Sequence, residues 1–586
     1  MIILGLNVYH GDSAACIVVD GKLIAAVEEE RFTRIKHWAG LPVQAIQYCL
    51  KEAGIGIGEV DHIAINRNPR ANLAKKALFA FSRRPSLRVL SDRLKNASRI
   101  TDLRTVLSSA FTVPQSKLKA ELHYVEHHAA HLASSFLVSP FEEAAVVSVD
   151  GFGDFVGAMW GIAKGGNITV AHRIFFPHSL GIFYLALTQY LGFLNYGDEY
   201  KVMGLAAYGE PEFMEEMKTI LRIARNGDFE LDLDFFVHHS KGVSMTWESG
   251  EPHMGAVFSR NLEERLGPAR QRGNEIGERH KNIAASMQRR YEEAFFHILN
   301  HVYEKTQCPR LALSGGCAMN SLANGKIFHN TPFQEVYIQP AAGDAGGSIG
   351  AAFYVWNQLL GKPRLFVLER PYLGPEFTAT QISSLLRTRS NELNSGQCVV
   401  ETIGDIHDLC LQSARAISEG KVVGWFQGRM EWGPRALGNR SIVCDPRRPD
   451  MKDILNLKIK RRESFRPFAP SIHLGAVGEY FEIGYPDPFM LKVYKIRPEK
   501  RHIIPAVTHV DGTGRLQTVR YEDNPAYWQL IEEFRKITGV PVVLNTSFNE
   551  NEPIVCTPEH ALDCFLRTKM DMLVLDKFIV RRMQNV

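Results

Sequence analysis

The segment His127-His128-Ala129-Ala130-His131 is the chain's strongest candidate for chemistry. If it is helical, His127 and His131 stand at i and i+4 on one face, a spacing at which two imidazoles reach one cation. A carboxylate at a strand end would complete the site. Asp150, after the apolar run Ala144–Val149, is the first candidate, and Asp344, in the glycine turn Gly343-Asp344-Ala345-Gly346-Gly347, is the second. Two histidines with oxygen ligands and open positions suit a hard or borderline divalent metal, iron(II) and manganese included. The alternative is that these histidines cap or line a helix without binding metal.

A second constellation is basic. Gly433-Pro434-Arg435-Ala436-Leu437-Gly438-Asn439-Arg440 sets two arginines on a constrained loop, and Lys460, Arg461, Arg462 and Arg466 crowd ahead of Pro467. Arginine forks match phosphate and carboxylate oxygens bidentately. The choice here is between a fixed anion pocket and a solvated basic surface. From Arg67 to Arg99 runs a third basic stretch, containing Arg70, Lys75, Lys76, Arg83, Arg84, Arg88, Arg93 and Lys95 against the single acid Asp92. It reads as an amphipathic helix pair with a solvated face, with a docking surface for an anionic acceptor as the sharper alternative.

These residues must be positioned by regular elements. Ile2–Leu6, Ala14–Val19 and Leu23–Val27, separated by the turns His10-Gly11-Asp12-Ser13 and Asp20-Gly21, predict a three-stranded meander. The same order returns as Ala144–Val149, the turn Asp150–Asp154, Gly157–Ala163, the turn Lys164–Asn167, and Ile168–Ile174. Two copies of one meander predict a duplicated domain. A long helix is expected from about Gly273 to Lys305. Leu311–Leu313 running into Ser314-Gly315-Gly316, and Val336–Ile338 running into Gly343–Gly347, each predict a strand, a glycine turn and a helix, a way to set backbone N–H groups against phosphate. Past a linker at Gly361-Lys362-Pro363 and Pro371–Pro375, a new α/β stretch begins near Val399. It includes strands at Val422–Phe426 and Val540–Leu544 and a helix at Met451–Lys458. The expected domains are therefore 1–362 and 378–586.

At 586 residues the chain is too long for one core. Its 45% hydrophobic and 23% charged fractions are those of a globular protein, and a formal net charge of +4 argues against a dedicated nucleic-acid binder. The nine cysteines are scattered without C-x-x-C, which predicts a reducing, cytoplasmic setting. The N-terminal MIILGLNVYHGD is too soon interrupted to read as a signal peptide, and Leu180–Leu194 predicts a buried helix rather than a membrane span.

The ordered motifs GLNVYHGDSAA, EEERFTRIKH, EHHAAHLASSF, VDGFGD, EYKVMGLAAYG, LSGGCAMN, GDAGG, GPRALGNRSI, RESFRPFAPS and LNTSFN span nearly the whole chain. In this order the sequence resembles the antibiotic and nodulation-factor O-carbamoyltransferases, those acting on tobramycin, cephalosporins, novobiocin-type aminocoumarins and lipo-chitooligosaccharides. The basic stretch near Arg67–Arg99 is the main departure. The resemblance implies an α/β protein of two domains. The first is a duplicated actin/hexokinase-like domain akin to the tRNA threonylcarbamoyl-transferring protein. The second is akin to that pathway's carbamoyladenylate-forming partner. It further implies His127, His131, Asp150 and Asp344 as metal ligands, with Fe(2+) the family expectation. Arg435, Arg440, Lys460, Arg466, Asn545 and Ser547 would form the carbamoyl phosphate and adenylate pocket, with Arg435 and Lys460 counted among the catalytic groups. Gly315, Gly316 and Asn320 would lie along a nucleotide cleft, and His10 would activate the acceptor hydroxyl.

The implied reaction joins carbamoyl phosphate and ATP, with Mg(2+), into carbamoyladenylate, then passes the carbamoyl group to a small-molecule hydroxyl. Arginines suit the anionic donor, magnesium offsets phosphate charge, a shielded route between domains would protect the anhydride, and an imidazole suits the base. No nucleic acid or membrane partner is expected, and the chain would be a monomer or homodimer. A tRNA threonylcarbamoyladenosine-type enzyme shares both halves of this fold. The fused domains, the GPRALGNRS block and the modest charge count against it, since tRNA binding rests on phosphate contacts. A sugar-kinase-like phosphotransferase would leave HHAAH and the arginine loop without purpose, and a non-catalytic nucleotide module would leave every candidate catalytic position without use.

Overall fold

The structure is a computed structural model describing residues 1–83, 102–241, 245–246, 250–460, 462–463 and 465–583. Arg84, Arg88, Asp92, Arg93, Lys95 and Arg99 of the basic stretch, and Arg461, lie outside the described residues. Two compact units divide the chain, Met1–Leu368 and Glu369–Val586. Both are mixed α/β.

The first unit contains one topology twice. Strands β1 (Ile2–Asn7), β2 (Ala14–Val19), β3 (Lys22–Glu28), β4 (His62–Ile65) and β5 (Glu121–Tyr124) form a sheet in the order β3-β2-β1-β4-β5. Strands β6 (Glu143–Gly153), β7 (Val156–Lys164), β8 (Asn167–Phe175), β9 (Arg310–Ser314) and β10 (Glu335–Ile338) repeat it as β8-β7-β6-β9-β10. In each sheet the first three strands are antiparallel neighbours and the last two join in parallel. The expected meanders are thus present, and the same strand order occurs twice, as expected of a duplicated domain. The β2–β3 hairpin turns on Asp20 and Gly21, both at positive φ (48° and 78°), the backbone of a two-residue turn matched to strand twist.

One element departs from expectation in a way that matters. Asp150–Asp154 was expected as a turn, yet β6 continues to Gly153 and pairs it with Val156. The ladder breaks between Val149 and Gly153, so Asp150 sits in a bulged stretch that redirects its side chain out of the regular alternation.

The helices that matter in this unit are α1 (Val43–Ala53), α2 (Leu73–Arg83), α3 (His127–Phe136), α4 (Leu180–Tyr190), α5 (Glu278–Thr306) and α6 (Gly346–Phe353). Every residue of α3 is buried, and so is every residue of α4 except Gly181. Helix α6 packs on both α3 and β1. Exposed Leu73, Leu78 and Phe81 on α2 show that the apolar face of this basic helix is not covered by the described residues.

The second unit is built on a nine-stranded sheet. Its strands are β11 (Cys398–Thr402), β12 (Val423–Phe426), β13 (Arg440–Cys444), β14 (Ala469–His473), β15 (Lys492–Lys495), β16 (Thr513–Val519), β17 (Val542–Ser547), β18 (Met572–Leu575) and β19 (Phe578–Arg582), in the order β11-β19-β18-β12-β13-β17-β14-β16-β15. Helices α7 (Ile406–Ser418) and α8 (Pro525–Thr538) pack together beside it. The helix expected at Met451–Lys458 is α-helical only to Leu455, and residues 456–460 form a wider π turn that carries Lys460 inward. All nine cysteines are buried thiols, and among the described residues no helix is long and apolar enough to cross a membrane.

Candidate active site

Helix α3 starts where its first N–H finds an outside acceptor. Asp154 Oδ2 accepts from the backbone N–H of His127 (2.9 Å) and of Asn68 (2.7 Å), supplying the cap that Glu126 does not. The helix then presents His127 and His131 one turn apart. Their Nε2 atoms are 3.0 Å from each other, Asp150 Oδ2 is 3.0 and 3.2 Å from them, and Asp344 Oδ1 is 3.4 and 3.5 Å away. The structure therefore brings together all four residues the sequence singled out.

His128, between them, is excluded from this group. Its Nε2 contacts Val156 O and its Nδ1 contacts Ser148 Oγ, both at 2.9 Å. Burial first, then the two neighbouring imidazoles, push its pKa down to about 3. It is a neutral wedge between α3 and the second sheet.

The geometry fits a divalent cation. Donors about 2.1 Å from one ion stand about 3.0 Å apart at right angles and about 3.4 Å apart in a tetrahedron, the range seen here. Asp344 Oδ1 is shut off from solvent and has no hydrogen-bond partner among the described residues, which is costly unless a positive group faces it. Burial works against charge on Asp150, but His127 and His131 hold it well below the usual carboxylate range. Asp344 is lowered in the same way, His10 foremost among the causes that oppose burial. Both acids are thus ready as ligands. The other oxygen of Asp150, Oδ1, accepts the backbone N–H of Gly316 at 3.0 Å, which fixes the orientation of the carboxylate.

His10 reaches the same centre from the β1–β2 loop, which Asn7 Nδ2 shapes by donating to Gly11 O (3.0 Å) and Asp12 O (2.9 Å). Asp344 Oδ2 stands 2.6 Å from His10 Nδ1, and the His10 ring lies 5.8 Å from that of His127. Burial disfavours the imidazolium, but Asp344 outweighs it and raises the His10 pKa above the ordinary value. The side chain keeps 25% exposure, so it is both tethered and reachable. Gly315 and Gly316, expected along a nucleotide cleft, are placed by the structure behind Asp150. Asn320 caps its own short helix, accepting from Ala323 N at 3.1 Å, and exchanges hydrogen bonds with Gln288.

The loop that follows His10 is braced by His37, whose Nδ1 lies 2.8 Å from Asp12 Oδ1 and whose backbone N–H donates to Glu30 Oε2 at 2.8 Å. Burial lowers the His37 pKa, but Asp12 overrides it and lifts the value to about 9. The folded state therefore holds a proton that the unfolded chain releases near about 6.5. The stabilisation is complete below that pH and is lost as pH rises through about 9. Urea midpoints measured from pH 6 to 9.5 are expected to fall more steeply for the wild type than for His37→Gln. Parallel curves would refute this role.

The second unit assembles the basic residues differently from one another. Lys460 Nζ, buried, donates to Ser547 O (2.6 Å), Asn549 O (2.8 Å) and Asn549 Oδ1 (2.7 Å), with Ser547 Oγ at 3.3 Å. Lys460 and Ser547 are therefore neighbours, joined by Asn549, which sequence reasoning passed over. Asn545 Nδ2 lies within hydrogen-bonding distance of Ala436 O (3.1 Å), Ser471 Oγ (3.1 Å) and Gln517 Oε1 (2.9 Å), tying the arginine loop to the sheet. Arg440 is fully buried. Its guanidinium donates to the carbonyls of Gln427, Asn439, Pro375 and Gly428 and lies 3.6 Å over the Phe426 ring. That geometry makes it a brace for the loop and leaves its fork turned to carbonyls.

The cationic focus lies instead around Arg515 on β16, a residue sequence reasoning missed. Burial first, then Arg435, Arg462 and Arg466, push its guanidinium well below the ordinary arginine range. Four guanidiniums thus share one neighbourhood, and the Nε of Arg515 has no hydrogen-bond partner among the described residues. Glu463, 3.6 Å from Arg466, and Asp487, which favours the charged form of Arg515, offset part of the repulsion, and the net downward shift at Arg515 shows that the neighbourhood still favours a further anion. Its scaffold is Glu431, also missed, whose Oε1 accepts the backbone N–H groups of Leu437 (2.7 Å), Asn439 (2.7 Å) and Arg440 (3.0 Å). The only sequence signal for either residue was its proximity to a motif or its place in a strand alternation.

Comparison with known proteins shows the family. The family description "Carbamoyltransferase N-terminus" matches residues 2–353, and "Carbamoyltransferase C-terminus" matches residues 414–582. The chain belongs to the carbamoyltransferase family, and it is a carbamoyltransferase enzyme. It is 38% identical to the nodulation protein NolNO of Sinorhizobium fredii, over 98% of this chain and 80% of that one. An uncharacterized protein of Synechocystis is 41% identical over 99% of this chain and 96% of its own length. The 3'-hydroxymethylcephem-O-carbamoyltransferase of Amycolatopsis lactamdurans is 34% identical over 51% of this chain and 54% of its own. Among solved structures, HypF of T. kodakarensis overlaps 61% of this chain and 48% of its own at 14% identity and a TM-score of 0.30, too distant to bear on the chemistry.

Proposed function

We propose that the protein is an ATP-dependent O-carbamoyltransferase whose two units divide the work. The observation that carries this reading is the placement of an anion-seeking guanidinium cluster in one unit and a His/Asp centre with a tethered histidine in the other. In the second unit, carbamoyl phosphate, ATP and water give carbamoyladenylate, pyrophosphate and phosphate. Arg435, Arg466 and Arg515 bind the anionic donor and the triphosphate, and Lys460 with Ser547 and Asn549 forms the polar wall. Mg(2+) accompanies ATP as in other phosphoryl chemistry.

In the first unit, an acceptor hydroxyl attacks the carbamoyl carbon. A carbamate ester C–O bond forms, the bond to the phosphate oxygen breaks, AMP leaves, and the hydroxyl proton passes to His10. Asp344, at His10 Nδ1, leaves Nε2 for that proton, the arrangement a general base needs. His127, His131, Asp150 and Asp344 would hold a divalent metal, Fe(2+) by family expectation, which when bound supplies a Lewis acid toward the carbamoyl oxygen. The buried walls of α3 and α4 exclude water from this centre. The acceptor is a small molecule bearing a hydroxyl, in keeping with the printed name of the cephem relative.

The test separates the units without needing the acceptor. Purified protein is given carbamoyl phosphate, ATP and magnesium, and pyrophosphate is followed for the wild type, Arg466→Ala and His131→Ala. Arg466→Ala is expected to lose at least about 10²-fold in rate, in line with removal of one charge-stabilising donor, whereas His131→Ala stays within about twofold. Absence of pyrophosphate from the metal-loaded wild type would remove the adenylation step.

A further inference from the structure

A second cluster of metal-ligating groups stands on the first sheet, at the ends of β4 and β5 where the strands begin. His62 is in register with Glu121, and Ala64 with His123. Residues 121 and 123 share a face because strand side chains alternate, and the register puts His62 on that face too. Ala64, opposite His123, leaves room above the sheet. The result is that His62 Nδ1 and His123 Nε2 approach to 2.9 Å, with Glu121 Oε2 at 3.7 Å from the first and 3.8 Å from the second.

A hydrogen bond between the two rings accounts for the first distance. Glu121 stands almost equally far from both nitrogens, beyond hydrogen-bonding range but at ion-pair distance, a placement that one cation shared by all three groups accounts for as well as a proton on either ring does. The point equidistant from three atoms with these separations lies about 2.0 Å from each, the length of zinc–imidazole and zinc–carboxylate bonds. The imidazoles are largely enclosed (12% and 11% exposed), whereas Glu121 is 69% exposed, so water can complete the coordination.

We propose that His62, His123 and Glu121 form a second divalent-cation site, of the zinc class, that clips the edge strand β5 onto β4. Strand β5 ends at Tyr124, three residues before His127. The clip therefore steadies the segment that delivers α3 to the His/Asp centre. Nothing in the carbamoyl-transfer reading requires this site, so the two stand or fall separately.

The full chain, stripped of metal by chelation, is titrated with Zn(2+) against a chromogenic chelator. The wild type is expected to retain two equivalents, the pair of substitutions His62→Gln and His123→Gln one, and the pair His127→Gln and His131→Gln the other one. An unchanged number of equivalents in the His62→Gln, His123→Gln protein would overturn the proposal. Glu121→Gln, on an exposed side chain, guards against a folding artefact. It is expected to weaken one of the two equivalents about tenfold, and unchanged affinity for both would also overturn the proposal.

Discussion

Gly316→Ala is expected to weaken divalent-cation binding at the His127/His131 centre by about 10–100-fold, the usual effect of disturbing a group that orients a ligand. A Cβ on Gly316 would lie 2.7 Å from Asp150 Oδ1, the oxygen its own N–H holds at 3.0 Å. The methyl group and the carboxylate cannot both keep their places, so Asp150 must turn and carry Oδ2 away from the two imidazoles. The polypeptide has less to lose. The neighbour that must give is the end of one side chain, and the Gly316 backbone is not among those at positive φ. Metal retention after dialysis, with thermal unfolding as a control, distinguishes the outcomes. Full metal content in a normally folded variant would show that the Gly316 contact does not position Asp150.

The second large effect is expected at Glu431. Its Oε1 gathers three backbone N–H groups from the arginine loop, and the side chain is buried (2% exposed). Glu431→Ala leaves those donors without an acceptor where water does not replace it. The cost for each such group is about 1–3 kcal/mol, and the total loss is expected at about 3–5 kcal/mol, comparable to breaking a buried ionic contact. The loop also carries Arg435 toward Arg515, so pyrophosphate release should fall with stability, even under conditions where the variant remains folded. Glu431→Gln keeps one acceptor oxygen and should recover part of both. A denaturant series on the two variants checks the stability, and equal losses for alanine and glutamine would show that acceptance at Oε1 is not what holds the loop.

The two centres differ in how far they could be read from the sequence. In the first unit the motif is local: an i, i+4 pair needs only a helix, and the duplicated hairpins were visible as apolar runs punctuated by Asp20-Gly21 and Gly165-Gly166. What pattern could not convey was the bulge at Asp150, because a Gly-rich stretch looks the same whether it turns the chain or bends a strand. In the second unit the residues meet through sheet register. Asn545 touches Ala436, Ser471 and Gln517 from three different parts of the chain, and Arg515 joins Arg435, Arg462 and Arg466 in the same way. Spacing along the chain carries no trace of such meetings. Nor does the identity of an arginine say which way its fork faces: Arg440 spends its own on carbonyls, whereas the Nε of Arg515 has no partner among the described residues.

The repeated topology of the first unit bears on how such a centre could arise. The loop after the first strand of one half supplies His10, and the corresponding stretch of the other half supplies Asp150. A protein with two identical halves would have placed like residues at both positions. Two imidazoles or two carboxylates there make a symmetric cradle for an ion, with no distinction between the group that holds it and the group that takes a proton. Here the two positions differ, an imidazole on one side and a carboxylate on the other, so the repeated topology presents two chemically distinct arms, and under the proposed reading one of them would bind and the other react.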